Sequence, residues 1–452
     1  MSGPSIVWLR DDLRLADNPA LRAAVQRGEP VVVLYLLDEV SRGIRQLGGA
    51  TRWWLHGSLT HLDASLREFG GRLTLKRGAA EEVIPALVTE LDAGAVFWNR
   101  RYGAARDIDA QLKQRLRDDG IDARSFHANL LFEPWTVTTG EGGPYRVFTP
   151  FWRAAREQSV RGPLPAPDSL SFAVSASDAV DDWGLLPRQP DWAAGLREAC
   201  TPGEAAAHEA LESFVDEHLV DYHRRDEPGI AATSRLSPHL RFGELSPFQI
   251  WDRLHGGMSP AARKNVPKYL SEVGWREFNW NILFHSPELA EKNYRPAYDA
   301  FPWAEIEPGQ LAAWRAGRTG IPLVDAGMRE LWQTGTMHNR VRMVVASFLI
   351  KNLLVDWRVG EKWFWDTLVD ADEASNPANW QWVAGSGADA APYFRVFNPV
   401  LQASKFDAAG RYVHGWIPEL DTADYPPPIV DLAETRREAL AAHDRLKAAQ
   451  GS

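Results

Sequence analysis

The residues able to do chemistry concentrate in the second half of the chain. Thr233-Ser234-Arg235-Leu236-Ser237-Pro238 sets three hydroxyls around an arginine, just ahead of a predicted helix. Hydroxyls and backbone N–H groups at a helix start suit phosphate or pyrophosphate oxygens, and they equally suit an ordinary Ser-Pro N-cap. Glu272, Trp275, Arg276 and Asn279 fall at i, i+3, i+4 and i+7. One helix face therefore carries a carboxylate, an indole, a guanidinium and an amide. A splayed-out nucleobase fits such a face, stacking on the ring and hydrogen-bonding at its edge. The plainer alternative is a solvated stripe on which Arg276 pairs with Glu272.

Asn339 and Met343, four apart in Met337-His338-Asn339-Arg340-Val341-Arg342-Met343, put an amide and a thioether on one face. An amide can read a base edge, and methionine packs on irregular flat groups. Arg342 needs an acid if buried, and Asp370 or Asp372 can supply one. Both belong to the densest stretch, Asp370-Ala371-Asp372-Glu373-Ala374-Ser375-Asn376-Pro377-Ala378-Asn379-Trp380-Gln381-Trp382. Trp380 and Trp382 are two apart and so point in roughly opposite directions, which leaves room for one to face a buried cofactor and the other an opening. Trp357 and Trp303 add indoles to the same half. Each feature taken singly also fits a plain reading, as a helix start with surface arginines or as core aromatics.

The elements that must position these groups follow from length and pattern. The chain has 452 residues, 45% hydrophobic and 24% charged, enough for two or three domains. Lys+Arg 50 against Asp+Glu 60 gives a net charge of −10, which argues against coating nucleic acid by bulk charge. The charge reverses locally, with nine Lys/Arg and six Asp/Glu over Tyr222–Trp280 and six and three over Arg329–Lys362. A single cysteine, Cys200, excludes an internal disulfide, a cysteine-rich zinc site and a four-cysteine iron–sulfur cluster. The longest clean apolar run, Val31–Leu37, is far too short for a membrane span, and Arg10 interrupts Ile6–Leu9 before it can act as a signal core. A cytoplasmic protein is expected. The 20 Trp beside 10 Tyr are the compositional anomaly.

Short apolar runs at Ser5–Arg10, Val31–Leu37, Arg72–Lys76, Ala95–Asn99 and Ala123–His127 alternate with helical stretches. That alternation predicts a doubly wound parallel sheet over 1–130. No GxGxxG follows the first strand, so the dinucleotide fingerprint is absent. Residues 131–200 are rich in proline and glycine and read as a connector that wraps rather than packs, with a short helix near Phe151–Gln158. From 201 to 452 the three-to-four residue apolar spacing predicts an all-α domain. Its helices include Glu204–Leu219, Val266–Phe284, Arg340–Asp356, Glu361–Val369 and a tail over Leu432–Ala449.

Taken together, TSRLSP, WREF, MHNRVRM, the Asn376-to-Trp382 stretch and Phe397-Asn398-Pro399 stand in the order and spacing of one family. The chain resembles the DNA photolyase/cryptochrome flavoproteins from Trp8-Leu9-Arg10-Asp11-Asp12 through Trp416. The resemblance implies FAD, active as FADH⁻, inside the helical domain. Tyr222 and Thr233, Ser234, Arg235, Leu236 and Ser237 match the phosphate and ribityl contacts. Arg276, Arg342, Asp370, Ala371 and Asp372 match further cofactor positions, with Arg342 paired to Asp370, and Asn376 matches the position beside flavin N5. A neutral amide there adds no negative charge against an anionic hydroquinone, which favours repair over signalling.

Glu272, Trp275, Arg276, Asn279, Asn339, Arg340, Met343 and Trp382 match lesion-pocket and DNA-binding positions of cyclobutane pyrimidine dimer photolyases, and Gln402 matches a DNA contact. The implied partner is UV-damaged DNA, with the dimer flipped out between Trp275 and Trp382, as enzymes of this family do. Excited FADH⁻ would lend an electron to the dimer while Glu272 stabilises the added charge. Trp380, Trp357 and Trp303 match the relay that rereduces oxidised flavin. A monomer is expected, with an antenna chromophore such as methenyltetrahydrofolate or a deazaflavin on the α/β domain. Two departures stand out: Asp11 replaces a common arginine, and Asn99–Asp109 lacks the Asn-Glu pair that binds folate in some members. The alternative is a cryptochrome-like blue-light photoreceptor using the same flavin and relay.

Overall fold

Five fully or partly buried strands open the chain: β1 (Ser5–Leu9), β2 (Val31–Leu37), β3 (Thr74–Arg77), β4 (Ala95–Asn99) and β5 (Asp122–Phe126). They pair in parallel in the order β3-β2-β1-β4-β5. This computed structural model describes residues 3–390 and 394–450. β1, β2 and β4 are buried at every position, as strands covered on both faces by helices must be. The crossovers are α1 (Pro19–Gln26), α2 (Gly49–Glu68), α3 (Ala80–Leu91) and α4 (Arg106–Asp118). Pro85 sits inside α3 and cannot donate to the Glu81 carbonyl; Arg115 Nη1 donates to that oxygen instead, at 3.0 Å.

Residues 131–200 depart from the expected wrapping connector. α5 (Phe148–Ala155) buries Phe151 and Trp152 against helices of the second half, while Trp183 and Leu185 enter the core beneath the sheet. Ser171 and Ala173 also bond to the backbone of Val31 at the start of β2. The proline-rich composition hid these anchors because each is one or two aromatics long, too short to show a period.

The second half is helical, and its elements include α6 (Glu204–Ser213), α7 (Ser237–Phe242), α8 (Pro247–His255), α9 (Val266–His285), α10 (Pro322–Thr334), α11 (Asn339–Ser347), α12 (Trp357–Thr367), α13 (Ser375–Ala384), α14 (Pro399–Phe406) and α15 (Leu432–Gln450), with further short helices such as Pro308–Arg315 and Arg411–Trp416. The single helix expected over Arg340–Asp356 is broken. α11 ends at Ser347, a π-helical turn runs over Phe348–Asn352, and Leu354 takes φ 50°. Asp356 then caps α12 by accepting from Arg358 N at 2.9 Å. A cap on Asp356 competes with helix continuation through it, so one apolar run became two helices. Glu204–Leu219 breaks in the same way, with a π turn over Phe214–His218.

The two halves are pinned by buried charge. Arg14, 1% exposed, donates to the carbonyls of Gly243 (2.8 Å) and Ala128 (3.1 Å). Glu244, fully buried, accepts from Trp54 Nε1, Ser58 Oγ and Gly203 N, and contacts His239 Nδ1. Gly243 has φ 64°, and a Cβ there would lie 2.0 Å from the Asp11 carbonyl oxygen, so only glycine permits this approach.

Candidate functional site

One carboxylate joins three of the elements singled out by sequence. Arg342, on α11, meets Asp370 through Nη1–Oδ1 at 3.1 Å and Nη2–Oδ2 at 2.8 Å, and Ser237 Oγ donates to the same Oδ2 at 2.7 Å. Asp370 is 5% exposed, so its charge requires this pairing. The hydroxyl loop ahead of α7 lies against it. Arg235 takes φ 53°, a left-handed backbone unusual for a side chain, and Tyr269 Oη donates to Ser234 Oγ at 3.0 Å. Tyr222 is buried against Tyr269, ring centroids 5.2 Å apart, and burial pushes its phenol up. Asp372 Oδ1 accepts from Ala374 N and Ser375 N, fixing the entry to α13.

Asn376 is the second residue of that helix, 7% exposed. Its Nδ2 donates to Glu361 Oε1 at 2.8 Å and to the Glu361 carbonyl at 3.1 Å. Both amide hydrogens are committed, which leaves Oδ1 as the acceptor.

A second assembly lies between α9 and α13. Trp275 and Asn279 line one cleft with Trp382, Ala378 and Asn379. Trp275 is held flat by Phe148, ring centroids 3.9 Å apart and 10° from parallel. Trp382 is fixed at its edge, Nε1 donating to the Asp389 carbonyl at 3.1 Å. Glu272, about one-third exposed, stands between Lys268 (2.8 Å) and Arg225 (3.7 Å). Arg340 pairs with Asp226 at 3.0 Å and lies over Phe406, with Met343 sulfur 3.9 Å from its Nη1. Asn339 is exposed at the start of α11, and Gln402 on α14 keeps a buried Oε1 without a partner. His338, ahead of Asn339, is pushed down to about 4 by burial and is neutral.

Arg276 does not join the cleft. The alternative pairing with Glu272 does not form either; its Nη1 donates to the Asn129 carbonyl at 2.9 Å and to Glu277 at 3.3 Å, on the seam between the halves. The neighbouring Glu277 accepts from Leu131 N and Phe132 N, and burial pushes it up to about 7. Of the indoles beyond the cleft, Trp380 packs edge-on to Phe364 at 4.9 Å and Trp314 at 6.5 Å. Trp357 is fully buried, its Nε1 donating to Asn293 at 2.9 Å, and Trp303 tilts against Phe301 at 4.4 Å. Asp11 forms a bridge to Arg241 at 2.6 Å, and Arg241 also holds the Ala371 carbonyl.

Sequence reasoning missed Glu361, Arg225, Asp226, Tyr269 and Arg45. Each acts through a partner on another element, and Arg45–Glu361 spans 316 positions. No local spacing marks such a pair.

Two family models match the chain: DNA photolyase over residues 5–168 and the FAD binding domain of DNA photolyase over residues 269–424. A deoxyribodipyrimidine photo-lyase of Agrobacterium fabrum is 49% identical, the match covering 99% of this chain and 98% of that one.

The chain belongs to the DNA photolyase/cryptochrome family.

It is a photolyase-type enzyme and its cofactor is FAD. A solved bacterial class III photolyase from Agrobacterium tumefaciens superposes with a TM-score of 0.94 at 48% identity, covering 99% of this chain and 98% of that one. Cryptochrome-1 of Arabidopsis thaliana is 37% identical over 99% of this chain and 71% of its own length. The donor set fits the cofactor of this family. Neutral hydroxyls and a guanidinium at Thr233–Ser237 suit phosphate oxygens, and a buried amide at Asn376 keeps its oxygen available.

Proposed function

We propose that this chain repairs cyclobutane pyrimidine dimers in UV-damaged DNA. The observation that carries the reading is the pair of indoles, Trp275 and Trp382, brought from two helices to one cleft with the Asn279 amide. A flipped-out dimer offers two flat faces for stacking, and extrusion is easier for a weakly paired lesion.

Reduced FAD, when bound, supplies a light-driven loan of one electron. The chain's own residues do the rest. Thr233, Ser234, Arg235, Leu236, Ser237 and Tyr222 hold the cofactor's phosphates and ribityl chain, with Arg342, Asp370, Ala371 and Asp372 beside them. Asn376 presents a neutral amide to the ring. Glu272, set between Lys268 and Arg225, accepts from the imide N–H at the pyrimidine edge, and the two flanking cations offset the charge that accumulates on the carbonyls. Asn339, Arg340, Met343 and Gln402 line the path of the strand, and Trp380, Trp357 and Trp303 restore reduced cofactor. Among the described residues no helix is long and apolar enough to cross a membrane.

The test is repair of an oligonucleotide with one thymine dimer by the photoreduced protein, followed as thymine absorbance under blue light against a dark control. Light-dependent recovery is expected. The similarity to a plant cryptochrome gives the second reading, a photoreceptor. Photoreducible FAD without recovery would select it.

A further inference from the structure

One side chain of the N-terminal half reaches the partner of Asn376 on α13. Arg45, in the loop between β2 and α2, meets Glu361 through Nη1–Oε1 at 2.6 Å and Nη2–Oε2 at 2.8 Å. Glu361 is 1% exposed and Arg45 25%. The guanidinium lies over Trp365, 3.8 Å from its centroid, while Trp365 Nε1 donates to the Gln46 carbonyl at 2.9 Å. The ion pair is thus flat, stacked and sealed from one side. Glu361 in turn accepts from Asn376 through both its side chain and its carbonyl.

This arrangement answers a specific difficulty. An amide that must present its oxygen to a cofactor needs acceptors for both of its hydrogens, and the strongest acceptor is a carboxylate. A carboxylate so placed would also bring a negative charge close to an anionic cofactor. A bidentate guanidinium removes that net charge while leaving the acceptor in place, a geometry that lysine cannot reproduce.

We propose that Arg45 is a positioning residue for the flavin: it neutralises Glu361, so that Glu361 orients the Asn376 amide without placing net negative charge beside the ring. The proposal rests on the reading that Asn376 faces the flavin. The docked loop thereby makes the redox balance of the helical half depend on the α/β half.

The experiment measures the midpoint potential of FAD bound to the full-length protein by spectroelectrochemistry. R45A leaves an unpaired carboxylate and lowers the potential; E361Q leaves an unpaired guanidinium and raises it. Each shift corresponds to about tenfold in the oxidised-to-reduced ratio at fixed ambient potential. The R45A/E361Q double variant returns toward wild type, and R45K recovers only part of the R45A loss. Asp366→Ala removes the contact at the end of that loop, from Gly49 N at the start of α2 to Asp366 at 2.8 Å, and leaves the potential unchanged. R45A and E361Q moving together, or Asp366→Ala matching R45A, would mean loop docking rather than charge and would overturn the proposal. Asn376→Ala separates the layers. If it shifts the potential while R45A is silent, only the Arg45 role falls; if it too is silent, Asn376 does not face the flavin and both readings fall.

Discussion

Arg342 and Asp370 form a two-point ion pair whose carboxylate also accepts from Ser237, so α7 and α11 converge on one charge in the turn between α12 and α13. Arg342 spends its Nε on the Met337 carbonyl at 2.8 Å, which leaves the planar fork fixed toward Asp370. Lysine offers a single point of contact on a flexible stem. Arg342→Lys should therefore weaken FAD retention at least about tenfold, since loss of one partner of a buried pair exceeds 1.4 kcal/mol. FAD release followed by flavin fluorescence checks this, and unchanged retention would detach the pair from the cofactor.

Asn376→Asp places two carboxylates where a hydrogen bond of 2.8 Å now links Asn376 to Glu361. Arg45 already offsets the Glu361 charge, so the added carboxylate is a net negative charge unless it takes up a proton. Where that proton is present the variant keeps a bridge, and where it is lost the repulsion reaches the anionic cofactor. Reoxidation of reduced FAD in air should be about tenfold faster than in wild type at high pH and converge toward it at low pH. Stopped-flow absorbance across pH gives the profile; a flat one would count against Asn376 beside the ring.

The parallel sheet was legible because its strands are continuous apolar runs separated by helices of ordinary length. Val31–Leu37 and Ala95–Asn99 needed no tertiary information. The helical half was legible as helical but not in its breaks, because the π turn at Phe348–Asn352 keeps the apolar residues buried while changing their phase. In the site, Trp275 and Asn279 share a face that spacing alone defines. Their meeting with Trp382 depends on how α9 packs against α13, and the diversion of Arg276 to Asn129 depends on the seam between the halves. Residues that act within one helix could be read. Across elements, Arg342–Asp370 was legible because a buried guanidinium needs an acid, whereas Arg45–Glu361, 316 positions apart, left no local signal.

Trp275 is already stacked on Phe148, so one of its faces is occupied before any ligand arrives. Trp275→Phe keeps a ring but loses contact area, and Trp275→Ala removes the platform. Aromatic stacking of a base is worth about 1–3 kcal/mol, so Trp275→Ala should weaken binding of dimer-containing DNA roughly tenfold or more, with undamaged DNA little affected. Fluorescence anisotropy on matched oligonucleotides measures both. Equal weakening on the two DNAs would make Trp275 part of the general DNA surface.

Glu272 makes the contrasting prediction. Lys268 and Arg225 hold its carboxylate at the rim of the same region, so its removal leaves the indoles untouched. Glu272→Ala should lower repair per absorbed photon several-fold while damaged-DNA affinity changes less. Repair yield and anisotropy on one preparation decide it, and an equal loss of both would make Glu272 a binding residue.

Glu277 ties stability to pH. Burial pushes its carboxyl from 4.5 up to about 7, against the opposing pull of Arg276 and two backbone N–H groups. An acid whose folded value is raised contributes stability that is full below the unfolded value and is lost as pH climbs through the folded one. The folded state therefore holds a proton that the unfolded chain releases between about pH 4.5 and 7. Wild-type stability should fall across that window by on the order of 3 kcal/mol from this group alone. Glu277→Gln, which cannot ionise, should flatten the profile and lie closest to wild type at the acidic end. Urea denaturation midpoints of both proteins from pH 5 to 8 measure the difference; parallel curves would show that Glu277 stays ionised on the seam, held by Arg276.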